Sequence, residues 1–416
     1  MAVANTLLTI DMITKESLRL AHEKAVFIGT INRQFDKSWS SEGQTGNTLR
    51  IRYPSEYSRR QGSAVMNVQD SVQTSTSLVV ATQDGVDMRF NSQELAQDLD
   101  SFSRLHLEPA IASLVSGIDS DVLQGCTKAV YKYASNLAPE PYTKNTLLTS
   151  VSSLTAAGNA RTRVNQGLAP KGDRYIQMDS GTMAGLVTGV AGYFNPSNAI
   201  SKQYREGLVA RTAMADYYEN ERVWSMSTIS SVTLSSAKLN GYVSTLGQTS
   251  LNVTSLTQIG GVAIGQPFTI ASVFDVHPET KQQYTNLKQF VVTAVTDAST
   301  YTISPAIYAS GTRQNVSIVA SAQSTSSNAI TFLGTTSLTI PQSLMYHKDA
   351  FTFATAALPI MADAAKCSVR TFDGLSLRCW QASDIRNDEF LTRIDILYGY
   401  KVIRPEWACR IVGAGA

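Results

Sequence analysis

The feature that most limits what this chain can fold into is a change of composition near residue 225 that reverses near residue 345. Between them 39 of 121 residues are Ser or Thr, and only seven are charged: Lys238, Asp275, Glu279, Lys281, Lys288, Asp297 and Arg313. Segments 268–274, 289–296, 300–307, 315–320 and 329–333 are rich in β-branched and aromatic residues with partial period-two alternation. Asp297-Ala298-Ser299 between two of them predicts a tight hairpin. Several short strands with no helical pattern predict a small sandwich or barrel. The sequence on both sides shares a different, mixed style, so residues 225–345 read as an inserted all-β domain.

Upstream, residues 14–34 place Leu18, Ala21, Ala25 and Ile28 at three- and four-residue spacing, which predicts an amphipathic helix. Residues 43–90 turn β-like: Leu49, Ile51 and Tyr53 alternate with Arg50 and Arg52, and 77–82 and 86–90 read as returning strands. The stretch 54–76 between them has few large apolar residues, so it projects as a long hairpin. From Ser92 a helix follows, with Leu95, Leu99, Phe102 and Leu105, then Ile111, Leu114, Ile118 and Val122 on one face; Pro109 predicts a kink. Residues 139–224 are mixed α/β, with helices at 146–157 and 180–194 and a strand at 174–178. Gly181, Gly185 and Gly189 in the second helix read as a close-packing face in a core. Beyond the insert, 375–381, 390–398 and 407–412 read as strands.

Chemistry is sparse. Four histidines, His22, His106, His277 and His347, are scattered over three units, and no nucleophile elbow, phosphate loop, zinc-binding helix or dinucleotide turn occurs. We expect no enzyme and no cofactor. His277-Pro278-Glu279 reads as a solvated loop rather than a metal pair, and Asp384, Asp388 and Glu389 lack the spacing of a calcium loop. Cys126, Cys367, Cys379 and Cys409 form no CxxC pair and read as reduced core thiols. The opening MAVANTLLTIDMITKES has no basic start and Asp11 interrupts its apolar run, so neither export nor a membrane is expected. With 35 Lys and Arg against 33 Asp and Glu, the chain is ill suited to gripping nucleic acid by wholesale phosphate neutralisation. Only 16% of residues are charged, which points to polar surface covered by oligomerisation.

The main charge feature is Arg50, Arg52, Arg59 and Arg60 on the hairpin, interleaved with Tyr53 and Tyr57. Three readings stand: a nucleic-acid surface, a solvated face, and a subunit interface where the guanidinium groups meet carboxylates of a neighbour. The overall charge balance favours the interface over nucleic acid.

Four stretches carry a family resemblance: RYIQMDSGTMAGL (174–186), NAISKQYREGLVARTAMADYYENERVWSM (198–226), DAFTFATAALP (349–359) and ILYGYKVIRPEWACRIVG (396–413). With the order of parts around them, they resemble the major capsid proteins of tailed bacteriophages with the Hong Kong 97 fold. More narrowly, the chain is similar to coat proteins of short-tailed phages infecting Salmonella and Shigella, which carry an inserted domain. The resemblance implies an α+β fold divided into an N-terminal arm (1–40), an E-loop hairpin (41–91) and a peripheral domain with the spine helix (92–138). An axial domain (139–224), the inserted β barrel (225–345) and C-terminal strands of the axial and peripheral domains (346–416, with 360–403 mainly axial) complete it. It implies an E-loop lying over an adjacent subunit, and pentamers and hexamers in an icosahedral shell. It further implies a scaffolding protein, a portal, enclosed double-stranded DNA held without sequence specificity, and assembly in the bacterial cytoplasm before residence in the virion. A nanocompartment shell protein and a carbohydrate-binding or adhesive β module are the competing readings. The 121-residue insert argues against the first, and the lack of an export signal or repeat against the second.

Overall fold

The computed structural model describes residues 10–35, 46–91 (apart from 58, 60, 61, 64, 65, 67 and 72), 107–135, 147–148, 154–190, 215–227 and 238–239. It continues with 246–254, 262–318 (apart from 298), 328–333, 339–360, 366–372, 375–384 and 389–414. The fold is α+β and mostly strand, in two compact units.

One unit comprises Met1–Ile51, Ser75–Val122 and Phe351–Ile403. Its sheet is built around the long strand Glu389–Val402, which pairs antiparallel with Thr82–Asn91, Leu375–Asp384 and Phe351–Ala356; Lys366–Phe372 completes the edge. The helix Ile10–Lys24 packs on Lys366–Phe372 and Leu375–Asp384 before a short helix, Phe27–Thr30. The single helix expected over 14–34 is therefore broken at Ala25-Val26. Buried Asp119 holds the second piece: its Oδ1 accepts the backbone N–H groups of Phe27 and Ile28, both at 3.0 Å. That satisfies two donors at a helix start that has no side-chain cap of its own. The helix expected from Ser92 is described as Glu108–Ala129, with Pro109 in its first described turn and Leu107 before it in π-helical geometry. The part expected over 92–106 lies outside the described residues.

Two close approaches fix this unit's backbone. A Cβ on Gly85 would meet Asp395 and the Ile394 carbonyl across the sheet. A Cβ on Gly399 would run into the carbonyl of Val79 and the Cα of Val80, where the chain leaves the hairpin over Glu389–Val402. The sequence grouped 360–403 mainly with the region near 140–224; the strands there instead sheet with Thr82–Asn91. Thr82–Asn91 is likewise a body strand and not a returning hairpin strand.

The second unit comprises Arg52–Thr74, Leu123–Ala350 and Arg404–Ala416. One sheet runs in the order Tyr133–Ala134, Ala408–Ile411, Ser343–His347, Arg174–Met178, Asp216–Glu219. The helices Leu154–Gln166 and Ser180–Val190 share a core with one face of it, through Ala156, Ala157, Ala160, Ile176, Met178 and Met345. The helix expected at 146–157 is instead Leu154–Gln166, and Leu147–Leu148 within the expected span is a short strand that pairs with Gly413–Ala414. Residues 191–194 of the next expected helix lie outside the described residues.

The β-rich region is entered and left side by side, where Ser225–Ser227 pairs with Thr339–Pro341. Its strands run Val316–Ile318, Pro267–Val276, Gln283–Val295, Thr300–Ile307, Gln248–Thr254, Lys238–Leu239, with Ile330–Phe332 also on Pro267–Val276. A bridge from Lys238 to Ala329, with Leu239 N–H donating to the Asn328 carbonyl at 2.9 Å, closes the ring into a barrel. Inside, Phe268 packs against Phe290 and Phe332 at 5.6 and 5.4 Å between ring centroids. The hairpin at 297–299 is pinned by Asp297 Oδ1, which accepts from Ser299 and Thr300 N–H at 2.8 and 2.7 Å.

Candidate subunit-interface surface

The hairpin is built on a two-stranded stem, Thr48–Arg52 with Ser75–Val79. Strand alternation sends Ile51 inward, where it joins Leu78, Val80 and Ala354 in a small apolar cluster, and sends Arg50 and Arg52 outward together. Arg50 Nε donates to Ser75 Oγ at 2.8 Å across the stem. Arg52 and Arg59 are exposed, and Arg60 lies outside the described residues. So the structure brings two of the four arginines onto one strand face and sets Arg59 further along the projection.

Beyond the stem, described residues of the two arms meet through polar contacts. Tyr53 N–H donates to the Thr74 carbonyl at 2.8 Å, the Ser55 and Ser71 hydroxyls meet at 2.9 Å, and Tyr57 Oη donates to Ser71 Oγ at 3.2 Å. The root is gripped by Arg404, whose guanidinium lies 5.5 Å from the Tyr53 ring centre and 5.0 Å from that of Trp407. Sequence reasoning saw the arginines and missed that Tyr57, Met66 and Val68 are exposed on the same projection. Isolated apolar residues in an unpatterned stretch leave no periodic signal to find.

A second feature, invisible in the sequence, fixes the barrel to the neighbouring sheet of the same unit. Fully buried Arg410 donates to the carbonyls of Gly265 at 2.6 Å and Lys128 at 3.0 Å, with its guanidinium 5.6 Å from the Trp224 ring centre. Gln289 mimics a strand partner, accepting Tyr133 N–H at 3.0 Å and donating to its carbonyl at 3.1 Å. Beside it Lys288 pairs with Asp275 at 2.8 Å, with its ammonium 5.4 Å from the Tyr131 ring centre. Lys132 is buried too, donating to the carbonyls of Arg163 and Glu406, each at 2.9 Å. Burial pushes Lys132 down to about 8 and Arg410 down to about 9. Burial works against the Asp275 carboxylate, yet Lys288 and Lys132 hold it below the usual carboxylate range.

These are holding contacts rather than chemistry. His277 Nδ1 accepts the N–H groups of Glu279 and Thr280 at 3.2 and 3.1 Å, so its ring serves the local turn. Among the described residues no group of three His, Cys, Asp or Glu is placed to hold a metal ion. All four cysteines are free thiols. No helix among the described residues is long and apolar enough to cross a membrane.

Residues 231–413 match the family described as "P22 coat protein - gene protein 5". The match runs from inside the β-rich region to the final strands, somewhat under half of the chain. No curated protein matches the chain. Among solved structures it is similar to one from Mycobacterium phage Che8, at 10% identity and a TM-score of 0.44, covering 94% of this chain and 90% of that one. It is also similar to the capsid of Cyanophage P-SCSP1u, at 10% identity and a TM-score of 0.43, covering 91% and 85%. A third is the mature capsid of bacteriophage PhiM1, at 10% identity and a TM-score of 0.40, covering 93% and 88%.

Proposed function

We propose that this chain is the major capsid protein of a tailed phage, assembling with copies of itself into the shell that encloses double-stranded DNA. The observation that carries this reading is the coat-protein family match over residues 231–413. The layout supports it: a projecting hairpin on an apolar stem, a spine helix, and a closed barrel entered and left at one point. A shell needs many modest interfaces that correct their own errors and hold together by number. A chain with 16% charged residues and a net charge of +2 suits that, and also suits a lining from which DNA must be released.

In this reading the arm is 1–40 and the insert 225–345, and the E-loop placed at 41–91 gives up Thr82–Asn91, which sheets with Glu389–Val402. Arg50, Arg52, Arg59 and Arg60 lie on the E-loop and face a neighbouring subunit. The subunits form pentamers and hexamers, a scaffolding protein and a portal direct assembly in the bacterial cytoplasm, and the finished shell is the virion capsid. Negative-stain electron microscopy of the chain, expressed with and without its genomic neighbours, tests this. Closed shells or curved polymers support it, and shells only with the neighbours add a scaffold requirement. Uniform monomers under both conditions refute it.

A further inference from the structure

His347 ends the strand Ser343–His347 and is only 4% exposed. Its Nδ1 accepts the N–H of Asp349 at 3.2 Å, so the proton of the neutral ring sits on Nε2. The half-exposed Asp349 carboxylate lies 3.8 Å from the same Nδ1. We infer that His347 is a proton-sensitive catch on the turn Lys348–Ala350. Neutral, it holds the turn by accepting the Asp349 N–H; protonated, it releases that N–H and offers its own Nδ1–H to the Asp349 carboxylate. The inference concerns the subunit alone and does not depend on the coat-protein reading.

Three observations carry it. A proton on Nδ1 would set two donors face to face at 3.2 Å, so the charged ring and the present turn exclude each other. An alternative acceptor is at hand, because the Asp349 carboxylate has only about 1 Å to close to reach hydrogen-bond distance of Nδ1. The surroundings keep the catch shut at neutral pH. Burial opposes charge on the ring, Asp349 and Asp173 favour it, and Arg174 and Lys348 oppose it, which together hold the group below its ordinary value of 6.5. From the Pro405–Trp407 turn comes the edge-on Trp407 ring, 5.4 Å away, while Arg404 and Glu406 pair with each other at 3.3 Å. As pH falls from 6.5 the unfolded chain binds more protons than the folded one, so acid works against the closed turn. The turn has consequences beyond itself. The chain leaves this unit after Ala350 and re-enters it at Arg404, and the Ala350 carbonyl accepts the Arg404 N–H at 3.0 Å. One small turn therefore braces both passages, and its opening loosens them together.

Nuclear magnetic resonance of the full-length subunit with isotope-labelled histidines reads the ring directly. We expect His347 as the Nε2–H tautomer at pH 8, with a protonation midpoint below 6.5. Deuterium exchange at the Asp349 amide, corrected for its intrinsic rate at each pH, accelerates by about tenfold or more between pH 7.5 and pH 5. His347→Asn places a carbonyl oxygen where Nδ1 stands, so it accepts the same N–H and takes up no proton. Its Asp349 amide stays equally protected at both pH values. A proton on Nδ1 at pH 8 or a midpoint at or above 6.5 overturns the catch. So does wild-type protection that ignores pH, or an acid response that survives in H347N. Should H347N fail to fold, the tautomer, midpoint and exchange of the wild-type chain decide the matter. None of these outcomes touches the coat-protein reading, which stands or falls on assembly.

Discussion

Replacing Asp275 by leucine is the sharpest test of how the barrel is held. Its carboxylate lies 2.8 Å from the Lys288 ammonium, with the two side chains only 12% and 7% exposed, and Lys132 is buried nearby. Removing the anion leaves two buried cations without their counter-ion, a change worth about 3–5 kcal/mol. The double change D275L/K288M removes the pair together and returns an apolar contact against Tyr131, so it costs less than half as much as D275L alone. Lys132 adds a pH signature. Its folded value is lowered to about 8, while the unfolded chain keeps the ordinary value of 10.5. Between those values the unfolded state binds more protons, so stability rises as pH rises through this window and falls back as pH drops to 8. The span corresponds to something on the order of 3 kcal/mol. Denaturant unfolding followed by tryptophan fluorescence at pH 7 and pH 9 measures both effects. A D275L loss below about 1 kcal/mol, or a double variant as damaged as the sum of its parts, refutes the reasoning.

Other positions make independent demands. Gly399→Ala drives a methyl group into the Val79 carbonyl, so a loss of at least about 2 kcal/mol is expected in thermal melts of the full chain, with the hairpin stem as the region that loosens. Asp119→Ala strips the acceptor from Phe27 and Ile28, leaving two buried N–H groups at a cost of about 2–4 kcal/mol; hydrogen exchange at those two amides should accelerate first. Arg59→Ala with Arg60→Ala should leave the subunit folded and impair shell closure, and normal particles by electron microscopy would end the view that these arginines matter at an interface. Residues 225–345 expressed alone should give a dispersed β-type amide spectrum, and an unfolded one would remove the insert boundaries.

What could be read in advance follows the range of the interactions. The barrel strands were legible because alternation in 268–274 or 300–307 is a local signal, and Asp297 pins its turn from within three residues. Closure of the barrel was not, since Lys238 and Ala329 meet across some ninety positions with nothing in either to announce the other. The strand Thr82–Asn91 looked like part of the hairpin because it follows the hairpin directly; its partner, Glu389–Val402, is about three hundred residues away. Helix Leu154–Gln166 was misplaced because most of its buried side is Ala156, Ala157 and Ala160, with Val164 the one large apolar residue buried there, a pattern that a search for large apolar spacing passes over. On the hairpin the arginines were legible as a cluster of like charge, whereas the exposure of Met66 and Val68 left no pattern to read. The Lys132, Asp275 and Lys288 group joins the end of the spine to two barrel strands, and no spacing rule links such positions.

The pinched entrance of the barrel has a consequence for the order in which the chain folds. Arg174–Met178 must find Ser343–His347 as a neighbouring strand, with most of the intervening chain being the barrel region. If that region folds first, pairing of Ser225–Ser227 with Thr339–Pro341 shortens the loop between those strands from about 160 residues to about 50, lowering the entropy of closing the remaining sheet by about 1 kcal/mol. A rate advantage of roughly fivefold follows from that shortening alone. The barrel is thus a clasp that lets distant parts of the subunit meet quickly, before exposed edges in a crowded cell can meet the wrong partner.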